Sequence, residues 1–148
     1  MPQVAPLIDE YGSYTTGGWP WGKIDYAANA LVVPNRPNNV RIAEITDGTS
    51  HTLLVGEKSV DPKNYLSGTW AFDEPFFTGG SAGTARFDTK VLQDMPGVNF
   101  QNMWGSAHPG GCGFLFADGH VGSVPFTIDR AVVQAILSPK GREVVPEY

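Results

Sequence analysis

The sequence lacks a disulfide framework, a basic cluster and a long apolar run. It contains one cysteine, Cys112, in 148 residues, so an internal disulfide is excluded. It has 10 Lys and Arg against 15 Asp and Glu, a formal net charge of −5, and this acidic balance argues against nucleic-acid binding. No apolar run reaches the roughly 18 residues that indicate a transmembrane helix, and no signal peptide is visible.

The single cysteine also limits the chemistry. Cys112 lies between Gly111 and Gly113 at the start of an apolar stretch, and we interpret it as a small buried apolar residue. A reactive thiolate would need a basic neighbour, and only His108 is close in sequence.

Turn-forming and aromatic residues are abundant instead. The chain has 18 Gly and 12 Pro together with 4 Trp, 5 Tyr and 8 Phe. Its length suffices for one domain with its own core. We therefore predict a single globular domain over residues 1–148, with an aromatic, loop-rich lead-in at 1–23 and a peripheral tail at 138–148.

The clearest structural signal lies at residues 114–124. Asp118-Gly119 separates the apolar run Phe114-Leu-Phe-Ala117 from a second run that contains Val121 and Val124. Asp-Gly between two apolar runs predicts a β-hairpin with a two-residue type I′ turn. Because few other segments are as apolar, we expect this hairpin to lie in the core sheet.

Weaker patterns predict the other elements. A short helix is expected over about 40–46 after an Asn38 or Asn39 cap, and Ile128–Leu137 has helical apolar spacing after a Thr127 cap. Residues 52–55 and 69–72 are predicted strands. The fold class is therefore α+β: an antiparallel β-sheet with one or two packed helices and long Gly/Pro-rich loops.

Three sequence blocks together support a family resemblance. His108 is followed by nine residues and then Asp118-Gly119; Ile45–Glu57 and Asp25–Asn29 form two earlier blocks. In order and spacing they resemble a bacterial pilin-like family named for its prepilin-type processing-associated His-x9-Asp-Gly motif, over roughly residues 24–137. The motif positions are Tyr26, Asn29, Asp47, Gly48, Ser50, Glu57, His108, Asp118 and Gly119.

The resemblance carries expectations of fold, place and partners. It implies the C-terminal globular head of a pilin-like or type II secretion pseudopilin-like protein, at the cell surface, in the periplasm or outside the cell. Such proteins normally begin with a cleaved leader and an apolar helix, and neither is present here. We expect Met1-Pro2 to be an artificial start or a natural truncation. Expected partners are other copies of the chain or other pilin-like subunits, without nucleic acid.

A metal site is the sharpest chemical hypothesis. Two carboxylates and an imidazole, from Glu57, Asp118 and His108, suit a hard or borderline cation such as Ca²⁺. Established metal-binding spacings are absent from the sequence, and Asp118 is already explained by its turn. A structural network among these residues is the alternative. We predict no resident cofactor, with Ca²⁺ kept as the exception.

Catalysis has little support in the sequence. Ser50-His51, Ser106 with His108, and Ser123 are the available serines of interest, and none stands in a Gly-x-Ser-x-Gly elbow. His120 follows the Asp-Gly turn and completes the set of polar residues considered. We predict that the protein is not an enzyme, and a metal-dependent hydrolase is the third-ranked hypothesis.

A carbohydrate-binding module is the second-ranked hypothesis. Tryptophan rings stack on sugars when they are exposed and fill cores when they are not. The candidate stacking residues are Trp19, Trp21, Trp70 and Trp104. Their solvent exposure would separate this hypothesis from a non-enzymatic structural module, which is our first prediction.

Overall fold

The computed structural model describes residues 24–34, 37–65, 83–98, 100 and 102–141, together with the backbone of two strands nearer the start. Its strands are β1 (Leu7–Asp9), β2 (Gly12–Tyr14), β3 (Tyr26–Asn29), β4 (Leu53–Glu57), β5 (Ala85–Arg86), β6 (Val91–Gln93), β7 (Trp104–Ser106), β8 (Cys112–Phe116) and β9 (Val121–Val124). One α-helix, α1 (Arg130–Leu137), and two 3-10 turns, Ile42–Glu44 and Pro62–Asn64, complete the described elements. None of the described helices is long and apolar enough to cross a bilayer.

A five-stranded sheet organises the described residues. Its order is β5-β3-β4-β8-β9, and every neighbouring pair is antiparallel except β3 with β5. β1 pairs antiparallel with β2, and β6 pairs in parallel with β7. The predicted α+β class with a mainly antiparallel sheet is confirmed. The parallel pairs were not predicted, because β3 and β5 are far apart in sequence and β5, β6 and β7 are too short to show a strand pattern.

The core lies between one face of this sheet and α1. Alternation along β8 turns Cys112, Phe114 and Phe116 inward, and all three are buried. The helix contributes Val133, Ile136 and Leu137 to the same cluster, which confirms the prediction that it packs on one face of the sheet. Cys112 is buried as predicted, and burial raises the pKa of its thiol, so this thiol is poorly reactive.

The predicted hairpin forms, but with a different turn. β8 pairs with β9 beside β4 in the sheet. The Gly119 N–H donates to the Phe116 carbonyl at 3.0 Å, and the Phe116 N–H donates to the His120 carbonyl at 3.0 Å. Gly119 has a φ of 94°. This pattern is a three-residue loop with a left-handed glycine after a turn, rather than the predicted two-residue type I′ turn. The prediction took Asp118-Gly119 as the whole turn and did not include Ala117, which is also a loop residue.

The helix boundaries also differ from the prediction. Asp129, and not Thr127, caps α1, since its carboxylate accepts the Ala131 N–H at 2.8 Å. The helix expected over about 40–46 is only the 3-10 turn Ile42–Glu44, and the expected Asn caps lie outside it. Its first turn is closed by Glu44, whose side chain accepts the Arg41 N–H at 2.9 Å. Local propensity therefore located both helical segments but not their ends.

Three short strands escaped the sequence patterns. β5, β6 and β7 have two or three residues each, which is too short for an alternation pattern to show. β7 reads Trp-Gly-Ser, and its three residues are all buried. The strand predicted at 69–72 lies outside the described residues.

Gly56 in β4 generates a stability prediction. A Cβ atom there would lie 2.2 Å from the Phe114 ring and 2.8 Å from the Trp104 ring. Because both rings are buried and packed against each other, neither can withdraw without opening the core. We expect Gly56→Ala to lower the free energy of unfolding by about 3 kcal/mol, an overpacking cost, measured by urea denaturation. Gly110→Ala is the control, since nothing lies near its Cβ position. Equal stabilities of the two variants would contradict this packing.

Candidate functional site

Glu57 and His108 meet at one end of the central strand pair. Glu57 ends β4, and its Oε2 accepts the Gly113 N–H of β8 at 2.5 Å. Its Oε1 lies 3.3 Å from His108 Nε2. The side chain of Glu57 is 16% exposed and that of His108 is 72% exposed. The carboxylate is therefore held by the sheet, while the imidazole sits over it from the surface.

The segment that carries His108 is fixed at both ends. Ser106 Oγ donates to the Gly111 carbonyl at 2.8 Å and accepts the His108 N–H at 3.2 Å. Gly111 has a φ of 152°, and a Cβ atom there would lie 2.5 Å from the Val124 carbonyl oxygen. A glycine is thus required where this segment enters β8. The loop places His108 beside Glu57.

Asp118 lies at the other end of the same strand pair. The register pairs Gly56 with Phe114 near Glu57, and Leu53 with Phe116 near the hairpin tip. Four strand residues at about 3.3 Å each separate the two ends by roughly 13 Å. Asp118 Oδ1 contacts His120 instead, at 2.7 Å from Nδ1 and 3.0 Å from the backbone N.

The three candidate ligands of the metal-site hypothesis therefore do not come together. Glu57 and His108 converge, and Asp118 does not join them. The Glu57–His108 pair offers one carboxylate and one nitrogen, whereas Ca²⁺ prefers six to eight oxygen ligands. Within the described ranges, no group of three or more His, Cys, Asp and Glu side chains is arranged to hold a metal ion. The alternative hypothesis, a structural network, describes these contacts better.

The tip of the β8–β9 hairpin is hydrogen-bonded to the Ile45–Glu57 block. The Ala117 N–H donates to the Thr52 carbonyl at 2.8 Å, and the Asp118 N–H donates to the Thr49 carbonyl at 3.1 Å. His120 stacks on Phe116 with ring centroids 4.4 Å apart and an interplanar angle of 4°. The two hydrogen bonds hold the tip against the turn that precedes β4, and the ring stack lies within the hairpin.

The Asp47–Thr52 turn is itself tied internally. Gly48 has a φ of 97°, and its carbonyl accepts the Thr52 hydroxyl at 3.0 Å. Ser50 Oγ lies 3.2 Å from His51 Nδ1, at an exposed position. Asp47 Oδ2 accepts the Gly141 N–H at 2.6 Å. The segment after α1, which lies in the predicted peripheral tail, is thus held as far as residue 141.

Asn29 joins three separate segments from a fully buried position. Its amide nitrogen donates to the Leu53 carbonyl at 2.9 Å and to the Leu137 carbonyl at 2.7 Å. Its Oδ1 accepts the Leu31 N–H at 3.0 Å. The last of these closes a turn directly after β3, whereas the first two tie β3 to β4 and to the end of α1. Tyr26, opposite Glu57 in the register, is half-exposed.

Trp104 is a core residue and not a stacking platform. It is fully buried, and its ring meets Phe114 edge-on, with centroids 5.6 Å apart and an angle of 70°. Trp104 is therefore excluded as a candidate for stacking on sugars, because all three residues of β7 are buried. Trp19, Trp21 and Trp70 lie outside the described residues.

Two buried cations were missed by the sequence analysis. Arg86 is fully buried, and its guanidinium donates to the Met103 carbonyl and, at 3.5 Å, to the Ser59 carbonyl. Burial lowers the pKa of Arg86 to about 10, so it stays charged at neutral pH. Lys58 Nζ donates to the Gly83 carbonyl at 2.8 Å. Isolated Arg and Lys residues carry no sequence signal for such positions, since most are exposed.

The fold and these contacts define a small α+β protein whose motif side chains tie its segments together. Its family is known from comparison: a model described as a protein of unknown function (DUF1559) matches residues 5–131. Since this covers most of the chain, the protein belongs to that family, and all nine motif positions fall inside the match. Searches of curated proteins and of solved structures each found no match.

Asn29 provides a direct test of the structural role of the motif. Asn29→Ala removes a donor from two buried carbonyls, and we expect the free energy of unfolding to fall by about 2–4 kcal/mol. Asn29→Asp keeps the Oδ1 acceptor but loses the amide donor, and it should destabilise at least as much. The exposed Asn38→Ala is the control, with a change within about 0.5 kcal/mol. An Asn29→Asp variant as stable as the wild type in urea denaturation would contradict the role assigned to the amide.

Asp118 gives a prediction of pH dependence. The backbone N–H of His120, and then its side chain, lower the pKa of the Asp118 carboxyl below its usual 3.8. The folded value is below the unfolded value, so the stabilisation is complete above about pH 4 and is lost as the pH falls through the folded pKa. We expect Asp118→Asn to be less stable than the wild type at pH 7, with the difference shrinking below pH 4 in urea denaturation. A difference independent of pH would show that the charge has no part in it.

Proposed function

We propose that this chain is a non-enzymatic structural module of a pilin-like or pseudopilin-like surface protein, which contributes packing surfaces to an assembly and presents loops. The observation that supports it most is the use made of the motif side chains. Asn29, Asp47 and Glu57 each bind a backbone group of another segment, and Asp118 binds the His120 N–H within its own turn. Side chains that complete backbone hydrogen bonds of the fold serve its stability, which suits a scaffold better than a reaction centre.

Exposed apolar side chains support the assembly part of the proposal. Ile42 is 72% exposed and Val121 75% exposed, and Phe87 and Tyr65 are also more than half exposed. Ile42 borders a cleft of about 600 Å³ that is lined by residues 32–34 and 37–40 and, on the hairpin, by Ala117. Apolar side chains that form one contiguous exposed patch are typical of surfaces that pack against other subunits, and the proposal requires some of these side chains to form such a patch. We therefore propose copies of this chain or similar subunits as partners, outside the cytoplasm.

The test is the state of association of the purified chain. Sedimentation velocity from micromolar to millimolar concentration should show reversible association, and electron microscopy should show whether it extends to filaments. Addition of salt should favour association, because copies with a net charge of −5 repel one another.

Two results would contradict the proposal. A chain that remains monomeric over this whole range, at low and high salt, argues against assembly. A turnover of any substrate that disappears in His108→Ala, while the variant stays folded, argues against a non-enzymatic role.

A further inference from the structure

An apolar cleft lies over one end of the five-stranded sheet. It has a volume of about 600 Å³, and nine of the eleven described residues that line it are apolar. Two of them, Val33 and Ile42, remain 46% and 72% exposed at its rim. Clefts of about 300–1,000 Å³ with a mainly apolar lining are typical of small-molecule sites. The size and the lining of this cleft therefore fit a ligand site.

A β-bulge places Leu54 in this cleft. The register pairs Leu53 with Phe116 and Val55 with Leu115, so Leu54 is an extra residue of β4. Its side chain is one of those that line the cleft. Bulges turn a side chain out of the regular alternation of a strand, and they are common beside active sites. The irregularity of β4 thus supplies an aliphatic group to the cleft.

The wall formed by residues 32–34 is anchored to the sheet. The Asn29 carbonyl accepts the Val32 N–H at 3.0 Å and the Val33 N–H at 2.8 Å. Asn29 is itself fully buried, and its side chain is bonded to β4 and to the end of α1. This wall is therefore fixed by contacts on its far side.

The opposite wall contains the 3-10 turn Ile42–Glu44, and the segment after α1 holds it. The Thr46 N–H donates to the Pro139 carbonyl at 2.8 Å, and Lys140 Nζ lies 3.1 Å from Glu44 Oε1. Both walls are thus tied to groups that do not line the cleft, and the cleft stays open although its lining is apolar. A site that is formed before binding spares the ligand the cost of ordering it.

The lining selects an uncharged aliphatic ligand. None of the eleven described lining residues is charged or aromatic, so the cleft offers an ion no partner and a sugar no ring for stacking. The two polar members, Asn38 and Asn39, are exposed, and their amides can both donate and accept hydrogen bonds. The complementary molecule has an aliphatic body and a neutral hydrogen-bonding group.

We propose that this cleft binds a small uncharged molecule with an aliphatic body and an amide or hydroxyl group. The body packs against Ile42, Leu54 and Ala117, and the polar group bonds to Asn38 or Asn39. This ligand site goes beyond the proposed structural role and does not depend on it, since the two are measured separately.

The first experiment titrates the ¹⁵N-labelled chain with hexanamide and follows the backbone amide shifts by NMR. A ligand of this size should bind with a dissociation constant of about 1–20 mM. The shifts should be saturable and confined to residues 37–45, Leu54 and Ala117. Acetamide has the same polar group without the body and should give no saturable shift. Hexanoate should bind several-fold more weakly, because its carboxylate loses hydration without gaining a cation.

The second experiment changes the lining of the cleft. Ala117→Leu extends an aliphatic side chain into the space of the ligand and should abolish the saturable shifts. Ile42→Ser removes apolar contact at the rim, and we expect the dissociation constant to rise at least about threefold. Val121→Ser is the matched control, because Val121 is 75% exposed and does not line the cleft. Thermal unfolding of each variant checks that the fold is intact.

The outcomes separate the ligand site from the proposed assembly. Saturable shifts at the cleft that Ala117→Leu abolishes and Val121→Ser preserves support the site. The absence of saturable shifts up to about 50 mM hexanamide, or equal weakening by Ile42→Ser and Val121→Ser, overturns it. Equal affinity for hexanoate overturns the uncharged class of ligand.

Sedimentation velocity of the same variants covers the other occupant of the cleft. If Ile42→Ser abolishes self-association and the wild type does not bind hexanamide, the cleft is a contact between subunits. That result overturns the ligand site and leaves the proposed assembly standing. A wild-type chain that stays monomeric and binds hexanamide at the cleft supports the ligand site and contradicts the assembly.

Discussion

The pairing of β4 with β8 is the interaction on which the described structure depends. It brings together segments more than fifty residues apart, and residues of the Ile45–Glu57 block and of the block from His108 to Gly119 meet at each of its ends. At one end, Glu57 accepts the Gly113 N–H. At the other, the Asp118 N–H reaches the Thr49 carbonyl. Long-range pairing of this kind has a high entropic cost of closure, and the end contacts offset part of it by fixing the register.

The two faces of the five-stranded sheet differ in how deeply their side chains are buried. On the inner face, Gly56 allows the Phe114 and Trp104 rings to approach the backbone, and α1 covers the cluster. On the outer face, Val55 and Leu115 remain partly exposed. The same alternation of side chains produces both faces.

The motif residues of this chain make contacts within the fold. Asn29 donates to the Leu53 and Leu137 carbonyls and so links the sheet to the end of the helix. His108 and His120 each contact a carboxylate, but at opposite ends of the strand pair. From the sequence, the polar side chains of Glu57, His108 and Asp118 suggested one common site. Because His108 and Asp118 lie about a strand length apart, they belong to two different contacts, His108 with Glu57 and Asp118 with His120.

Local pattern in the sequence determined the hairpin around Asp118-Gly119, the apolar stripe that places α1 on the sheet, and the burial of Cys112, because each depends on neighbouring residues. The tertiary structure alone decided that Glu57 meets His108 and not Asp118, that Trp104 is buried, and that Arg86 and Lys58 point inward to carbonyl oxygens. Those outcomes depend on strand order and register. They are set by the total burial and hydrogen bonding of the whole sheet, which no short segment of the sequence contains.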